Sequence, residues 1–151
     1  MPKEIERKFK VISFDPEVLK EGKKEKIIQG YLSFNPEIRV RVKGEKAFLT
    51  IKSEGAMVRD EFEYQIPIED GQTLLSVCPF KVEKTRYTVG RWEIDIFEGK
   101  LQGLVLAEVE LRDEREEVEP PAGFEMIEVT EDKRYKNKNL AKLESIKDLN
   151  N

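Results

Sequence analysis

Glu4-Ile5-Glu6-Arg7-Lys8-Phe9 opens the chain with three charged residues at every second position. Alternate residues of a β-strand share a face, so Glu4, Glu6 and Lys8 would line one side of a first strand. Carboxylates bind hard cations such as Mg²⁺, and lysine binds phosphate as a point charge. One strand face carrying both groups fits an enzyme that acts on a metal–polyphosphate complex, provided that other strands repeat the pattern.

Length and composition narrow the class of protein. The chain has 151 residues, which predicts a single domain over 1–151 with a substantial core. A net charge of −4, with both signs mixed along the chain, argues against a nucleic-acid partner. Because we find neither a long apolar run nor a signal-peptide stretch, we expect no membrane partner and a cytoplasmic location.

The residue types that are missing restrict the chemistry. The chain has no histidine and one cysteine, Cys78. The lack of histidine excludes Ser-His-Asp catalysis, Cys-His catalysis and His-ligated zinc. Cys78 follows the apolar stretch Leu74-Leu75-Ser76-Val77, which favours a buried, inert thiol over a catalytic one. Any chemistry must therefore use carboxylates, lysine, arginine, hydroxyl groups and bound metal.

Strand patterns dominate the chain and predict eight strands joined mostly by tight turns. They are expected at 3–11, 26–33, 37–42, 47–52, 58–68, 80–89, 91–98 and 104–112. Short helices are expected after the caps Asp15 and Asp70, after Asp113, at Thr130 and over 138–149. The predicted class is α+β, mainly β.

Seven of the eight predicted strands, all except 26–33, carry most of their charged residues in one phase and most of their apolar residues in the other. The acids in the charged phase are Glu4, Glu6, Glu61, Glu63, Glu93, Asp95, Glu108 and Glu110. The bases in that phase are Lys8, Arg39, Arg41, Lys52, Arg59, Lys84 and Arg86. For any single strand, a face turned to solvent is the simpler explanation.

Taken together, the charged faces indicate a shared interior. Like charges recur at i and i+2 on the same strand, where they repel unless a counter-ion or ligand lies between them. In a closed β-barrel these faces would converge on the lumen, and the apolar faces would lie outside under the helices. We therefore expect an eight-stranded antiparallel closed barrel with a wide, wet, charged interior.

Seven of these segments, in chain order, resemble the signature motifs of the triphosphate tunnel metalloenzymes, also called the CYTH domain superfamily. They are Glu4-Ile5-Glu6-Arg7-Lys8, Arg39-Val40-Arg41, Leu49-Thr50-Ile51-Lys52, Glu61-Phe62-Glu63, Lys84-Thr85-Arg86, Trp92-Glu93-Ile94-Asp95 and Glu108-Val109-Glu110. Three further segments are similar to the small bacterial inorganic tripolyphosphatases of this family. They are Gln29-Gly30-Tyr31-Leu32, Lys52-Ser53-Glu54-Gly55 and the stretch 129–137.

The resemblance implies a tunnel whose one mouth is plugged by a C-terminal helix after Thr130. It implies metal-dependent hydrolysis of a small triphosphate, with inorganic tripolyphosphate as the favoured substrate and Mg²⁺ or Mn²⁺ as the cofactor. The implied metal ligands are Glu4, Glu6, Glu108 and Glu110, supplemented by Glu61, Glu63 and Asp95. The implied substrate-binding residues are Lys8, Arg39, Arg41, Lys52, Arg59, Lys84 and Arg86. The implied catalytic residues are Glu4, Glu6, Lys8 and Lys84.

Other functions stay open at this point. A class IV-type adenylyl cyclase or a thiamine triphosphatase would need a pocket for its organic group. Tyr31, Phe34 and Phe48 could contribute to one, although packing in the core or at the rim is the favoured role. A non-catalytic polyphosphate- or nucleotide-binding module is the alternative of another class. The glutamate pairs argue against it, because anion binding alone needs only the bases. The sequence leaves the oligomeric state open.

Overall fold

The structure is a computed structural model that describes residues 5–53 and 60–150. Within these ranges nine antiparallel strands form one sheet. The strands are β1 (Ile5–Ser13), β2 (Lys23–Phe34), β3 (Glu37–Lys43), β4 (Lys46–Lys52), β5 (Glu61–Ile66), β6 (Phe80–Val89), β7 (Trp92–Phe97), β8 (Val105–Leu111) and β9 (Glu125–Glu128). The α-helices are α1 (Ile68–Val77) and α2 (Asn137–Lys142), and single turns of 3-10 helix cover Pro16–Glu21, Gly99–Leu101, Lys133–Tyr135 and Ile146–Asn150.

The sheet is open, so the expectation of a closed eight-stranded barrel is wrong in both closure and strand number. Its order is β5-β4-β3-β2-β6-β7-β8-β1-β9, with β5 and β9 at the two edges. The additional strand, β9, pairs with the outer edge of β1. Arg7 holds it there, since Nε and Nη2 donate to the Glu128 carboxylate at 2.9 and 2.5 Å. With β9 on one edge and β5 on the other, β1 does not pair with β5 to close a ring.

The open sheet nevertheless curls strongly. Lys8 of β1 and Lys52 of β4 line the same cavity. Six strand spacings separate β1 from β4 in the sheet order, which would be roughly 29 Å in a flat sheet. The two side chains can share a cavity only if the sheet bends round on itself. The resulting concave side is the counterpart of the expected barrel interior.

Much of the convex side of the sheet is apolar and covered. Helix α1 lies against β2, β3 and β4, where Gly30 and Gly71 permit close approach of helix and sheet. Around β1, β7 and β8, a second core buries Trp92, Ile94 and Val109 beneath the Pro16–Glu21 turn. Cys78, which ends α1, is buried on this side, so the prediction of a buried thiol is confirmed.

The C-terminal segment covers one end of the concave side. Tyr31, Val82, Phe97 and Leu106 point inward from four strands and are buried against the segment that carries α2. We call this covered region the closed end. Its apolar contacts hold the C-terminal segment in the curl of the sheet.

Several predicted helices differ from the structure because local side-chain bonds compete with helix formation. Helix α1 begins two residues before Asp70. The helix expected after Asp113 is a turn, in which the Asp113 side chain accepts from Arg115 N at 2.6 Å. The helix expected over 138–149 stops at Lys142, and Asp148 Oδ2 then accepts from Glu144 N at 3.0 Å. The predicted cap at Asp15 is present and leads into a 3-10 helix. The start expected at Thr130 lies two residues later, where Asp132 caps a 3-10 turn.

Gly71 provides a test of the packing of α1 on the sheet. A Cβ at position 71 would lie 2.5 Å from the Cβ of Ala47, which is fully buried. Alanine would gain about 1 kcal/mol in helix propensity, but overpacking of a tight core costs about 1–3 kcal/mol. We expect Gly71→Ala to lower the free energy of unfolding by up to about 2 kcal/mol in urea titrations. Gln72→Ala, an exposed change in the same helix, is the control, and a stabilised Gly71→Ala protein would contradict this packing.

Candidate functional site

The charged phase of eight strands forms one continuous surface. Residues directly opposite in the register share a face, and the register links the charged positions from β5 to β1. We call this surface the concave face. Its polar members include Glu6, Lys8, Lys10, Glu25, Gln29, Glu37, Arg39, Arg41, Lys43, Thr50, Lys52, Glu61, Glu63, Lys84, Arg86, Glu93, Asp95, Glu108 and Glu110. The predicted phase of the charges is thus confirmed, although Glu4 and Arg59 lie outside the described residues.

A buried ion group lies at the centre of the concave face. Lys84 Nζ donates to Asp95 Oδ2 at 2.9 Å. Arg86 donates from Nε and Nη2 to the two Asp95 oxygens, at 2.8 and 3.1 Å, and its Nη1 lies 2.8 Å from Glu93. Lys84 and Asp95 are each only 3% exposed. Both oxygens of Asp95 therefore already accept from cations.

Burial and charge act in opposite directions on this group. Burial alone would raise the pKa of Asp95, but Lys84 and Arg86 outweigh it and hold the pKa below its ordinary value of 3.8. Burial lowers the pKa of Lys84, and Arg86 adds to the lowering. Burial would also lower the pKa of Arg86, yet its bonds to Asp95 raise it. Asp95 is thus the anion that keeps two buried cations charged next to each other.

At the closed end, the concave face and the C-terminal segment enclose a cavity of about 230 Å³. Its lining is dominated by cationic side chains. The lining residues are Lys8, Tyr31, Glu37, Arg39, Lys52, Lys136, Asn137 and Lys138. We call it the closed-end cavity. Five cations against one carboxylate give this cavity a positive potential, which would attract a compact polyanion.

The C-terminal segment positions two lysines of the concave face. Lys8 Nζ donates to the Tyr135 carbonyl oxygen at 2.9 Å and lies 3.4 Å from Glu108. Lys84 Nζ lies 3.4 Å from Asn137 Oδ1. The stretch 129–137 contributes to the family resemblance, but the sequence predicted no site role for the residues from 136 to 138. Their place in the cavity depends on a fold-back that no local pattern shows.

Sequence reasoning also missed Glu37, which precedes Arg39 and Arg41 in the same strand phase. Its side chain is 6% exposed, and Oε2 lies 3.6 Å from Arg39 Nη1 and 3.8 Å from Lys52 Nζ. Within the described residues, Glu37 Oε2, Arg39 Nε and Arg41 Nε are buried without a hydrogen-bond partner. Buried polar atoms normally have hydrogen-bond partners, so a polar ligand in contact with β3 would satisfy these three atoms. The period-two step back from Arg39 was the available signal.

Arg41 continues this strip away from the closed end. Burial lowers its pKa, and the neighbouring charge of Arg39 lowers it further. Two arginines at i and i+2 on one face repel each other, and an anion placed between them would remove that penalty. Arg39 also lies 3.9 Å from Glu61, and Glu63 accepts from the Thr50 hydroxyl at 3.1 Å.

Glutamates form two cross-strand pairs towards the other end of the concave face. Glu6 lies opposite Glu110, and Glu93 lies opposite Glu108. Like charges directly opposite each other are destabilising unless a cation compensates them, and Arg86 and Lys8 do so in part for Glu93 and Glu108. The donors are all carboxylate oxygens, which is the chemistry of a site for a hard divalent cation. No three acidic or thiol side chains converge on a metal position in the described part of the chain, from which Glu4 is absent.

The helices were also compared with the requirements for membrane insertion. Among the residues that the structure describes, no helix has the length and apolarity needed to span a bilayer.

Comparison with known proteins gives consistent matches over nearly the whole chain. The model of the CYTH domain matches residues 2–142. An inorganic triphosphatase of Nitrosomonas europaea is 42% identical over 150 residues, which cover 91% of this chain and 96% of the relative. An inorganic triphosphatase of Acetivibrio thermocellus is 39% identical over 151 residues, covering 94% and 95%. The crystal structure of an inorganic triphosphatase matches with a TM-score of 0.76 at 40% identity, covering 93% of this chain and 95% of that one.

Asp95→Asn tests the buried ion group. The change leaves Lys84 and Arg86 without their shared anion, and breaking a buried pair typically costs about 3–5 kcal/mol. We expect the free energy of unfolding at pH 7 to fall by about 3 kcal/mol.

The pH dependence of the same variant provides the control. Because the folded-state pKa of Asp95 is depressed, its contribution is present above the ordinary value of 3.8 and is lost as the pH falls through the folded pKa. The stability difference between wild type and Asp95→Asn should therefore shrink below pH 4 in denaturant titrations. A difference that is absent at pH 7, or that grows in acid, would contradict the assigned role.

Proposed function

The chain belongs to the CYTH domain family, and from that premise we propose that it is a metal-dependent hydrolase that converts inorganic tripolyphosphate into pyrophosphate and phosphate. One observation carries the proposal: Lys8, Arg39 and Lys52, which come from three different strands, line a single cavity next to paired glutamates. Inorganic triphosphatases at about 40% identity over most of the chain support the choice of substrate.

We assign substrate binding to the bases of the concave face. Phosphoryl transfer is accelerated mainly by positioning and by neutralisation of charge on the phosphoryl oxygens. Arginine binds phosphate through a planar fork of donors, whereas lysine contributes a compact charge. Lys8, Arg39, Arg41 and Lys52 would hold the phosphate chain, and Arg59 remains a predicted member of this set. The hydrogen bond of Lys8 to the Tyr135 carbonyl gives that lysine a fixed direction.

Lys84 and Arg86 require a more specific role, because both already bind Asp95. Lys84 is buried, and its ion pair with Asp95 favours its charged form against the lowering of its pKa by burial, so it would lend positive charge to the site from below its surface. We propose that Lys84 and Arg86 maintain the positive potential beneath the substrate. Asp95 would then serve to keep this pair in place, in addition to its predicted part in metal coordination.

We assign the divalent cation, Mg²⁺ or Mn²⁺, to the paired glutamates. Glu6, Glu108 and Glu110, together with Glu4, would be its ligands, and Glu61 and Glu63 would complete the acidic set. When bound, the cation would polarise a phosphoryl oxygen and offset the charge of the triphosphate. The residues of the chain bring this charge to one end of the concave face while the bases hold the phosphates along it.

An enzyme that binds a nucleotide or thiamine needs a pocket for the organic group, and of the three candidate aromatic residues only Tyr31 lines the closed-end cavity. Tyr31 is 2% exposed and stacks on Phe34 at a centroid distance of 5.4 Å. Both belong to the core of the closed end, with Lys142 Nζ over the Phe34 ring. This favours a substrate without an organic group. A cytoplasmic location remains a prediction.

A substrate panel tests the proposed function. The purified protein is incubated with tripolyphosphate, ATP, thiamine triphosphate or pyrophosphate, each with Mg²⁺ or Mn²⁺, and phosphate and cyclic AMP are measured. We expect tripolyphosphate to be hydrolysed with the highest kcat/KM and pyrophosphate to accumulate. Cyclic AMP as the main product would indicate a cyclase, a preference for thiamine triphosphate would indicate that activity, and binding without turnover under both metals would indicate a binding module.

The control pairs two isosteric changes of the same charge. Glu6→Gln removes a carboxylate from the concave face, and Glu83→Gln removes one from the exposed, convex side of β6. We expect Glu6→Gln to reduce kcat by roughly a hundredfold or more, the scale of losing one preorganised electrostatic group. Glu83→Gln should retain wild-type kcat. Equal rates in both variants would remove Glu6 from the site.

A further inference from the structure

Glu37 occupies an unusual position for a carboxylate. It is the first residue of β3 and lies opposite Lys52 of β4 in the register. Its side chain is 6% exposed and lines the closed-end cavity among Arg39, Lys52, Lys136 and Lys138. A buried carboxylate is expensive to keep unless ion pairs or hydrogen bonds compensate it. The role of Glu37 therefore depends on its effect on the neighbouring cations.

The contacts of Glu37 are charge contacts without close hydrogen bonds. Oε2 lies 3.6 Å from Arg39 Nη1 and 3.8 Å from Lys52 Nζ. In the described part of the chain, no donor forms a hydrogen bond with this oxygen, and Arg39 Nε is likewise without an acceptor. The carboxylate is thus near enough to attract both cations but does not occupy their donors. Those donors remain available to another anion that enters the cavity.

An entering phosphoryl group and Glu37 would share the same two cations. Each phosphoryl oxygen that approaches Arg39 or Lys52 also approaches the fixed negative charge of Glu37, because one carboxylate oxygen is within 4 Å of both. Like-charge repulsion at such distances is strong in a partly desolvated site. The cavity would bind anions more tightly if position 37 were neutral.

We propose that Glu37 is an internal competitor for Arg39 and Lys52, which orients both cations in the empty cavity and weakens the binding of every phosphate species there. This rests on the proposed function, in which these two cations bind phosphate. The weakening applies to the products as well as to the substrate. Glu37 would thus keep a cavity with five cations from retaining phosphate or pyrophosphate after turnover. It acts through the cations and is a positioning residue.

The test is the affinity for pyrophosphate and for orthophosphate, measured by isothermal titration without divalent metal. Glu37→Gln keeps the shape of the side chain and removes its charge. We expect it to bind pyrophosphate about tenfold more tightly than the wild type, with a smaller gain for the less charged orthophosphate. A role limited to supporting the structure would instead weaken binding or leave it unchanged, and either result overturns the proposal.

Two further variants sharpen the comparison. Glu25→Gln makes the same change in net charge on the same phase of the sheet, but Glu25 lies 3.6 Å from Lys43 and outside the closed-end cavity. Its affinity for pyrophosphate should stay within about twofold of the wild type. A tenfold gain in Glu25→Gln would show that total charge is responsible and would overturn the local role of Glu37. Glu37→Ser, which removes the same charge with a smaller side chain, repeats the test if Glu37→Gln does not fold.

The titration separates this inference from the proposed function. If the wild type hydrolyses tripolyphosphate but Glu37→Gln binds pyrophosphate no more tightly, only the competitor role fails. If the wild type does not hydrolyse tripolyphosphate, the proposed function fails, and the affinities of the two proteins still decide the role of Glu37. With metal present, a lowered KM for tripolyphosphate in Glu37→Gln would agree with tighter anion binding.

Discussion

Adjacent residues of a β-strand point to opposite sides of the sheet, and this period of two constrains everything else in the molecule. The apolar phase has to be covered, and α1, the Pro16–Glu21 turn and the following loops cover it on the convex side. Most of the charged strand residues then lie on the other side. A slip of one residue in any strand would exchange the two faces and expose the core. The charged surface therefore follows from the same register that builds the core.

The curl of the sheet converts this charged face into a site. Strands that are far apart in the sheet order contribute Lys8 and Lys52 to one cavity. Such a concentration of charge is tolerable only because it is partly compensated from within. Asp95 compensates the most deeply buried cations, Lys84 and Arg86, while Glu37 does so more loosely for Arg39 and Lys52. The ion pairs are short where the charges are buried, and they are longer where a ligand can enter the cavity.

The apolar end of the concave face has a separate function in this arrangement. Tyr31, Val82, Phe97 and Leu106 would be exposed in the curl if the C-terminal segment did not cover them. By covering them, that segment brings Lys136, Asn137 and Lys138 over the cavity. The hydrophobic contacts thus offset the electrostatic repulsion that arises when further positive charge approaches a site that is already positive. Packing and electrostatics at the closed end are coupled through one segment.

The sequence predicted the strand faces well because period-two alternation is local, and the predicted phase of Arg39, Glu61 and Glu108 agrees with the register. The prediction of a closed barrel was wrong, because closure depends on the edge strands. The four residues of β9 carry no alternating signal, and they pair with β1 through contacts such as Arg7 with Glu128. Family resemblance supplied the plugging segment, but the side chains that it brings to the cavity depend on non-local packing. Glu37 lies in the predicted charged phase, but the burial that distinguishes it from an ordinary surface glutamate is visible only in the structure.

We expect the concave face to bind a polyphosphate and a divalent cation together. This expectation is tested most directly by a crystal structure of the protein with Mn²⁺ and a non-hydrolysable triphosphate analogue, in which anomalous scattering locates the manganese. We expect electron density for phosphate within hydrogen-bond distance of Arg39 and Lys52, and an anomalous peak for manganese next to Glu6 and Glu110. Phosphate and manganese bound only on the convex side, with an empty concave face, would contradict it.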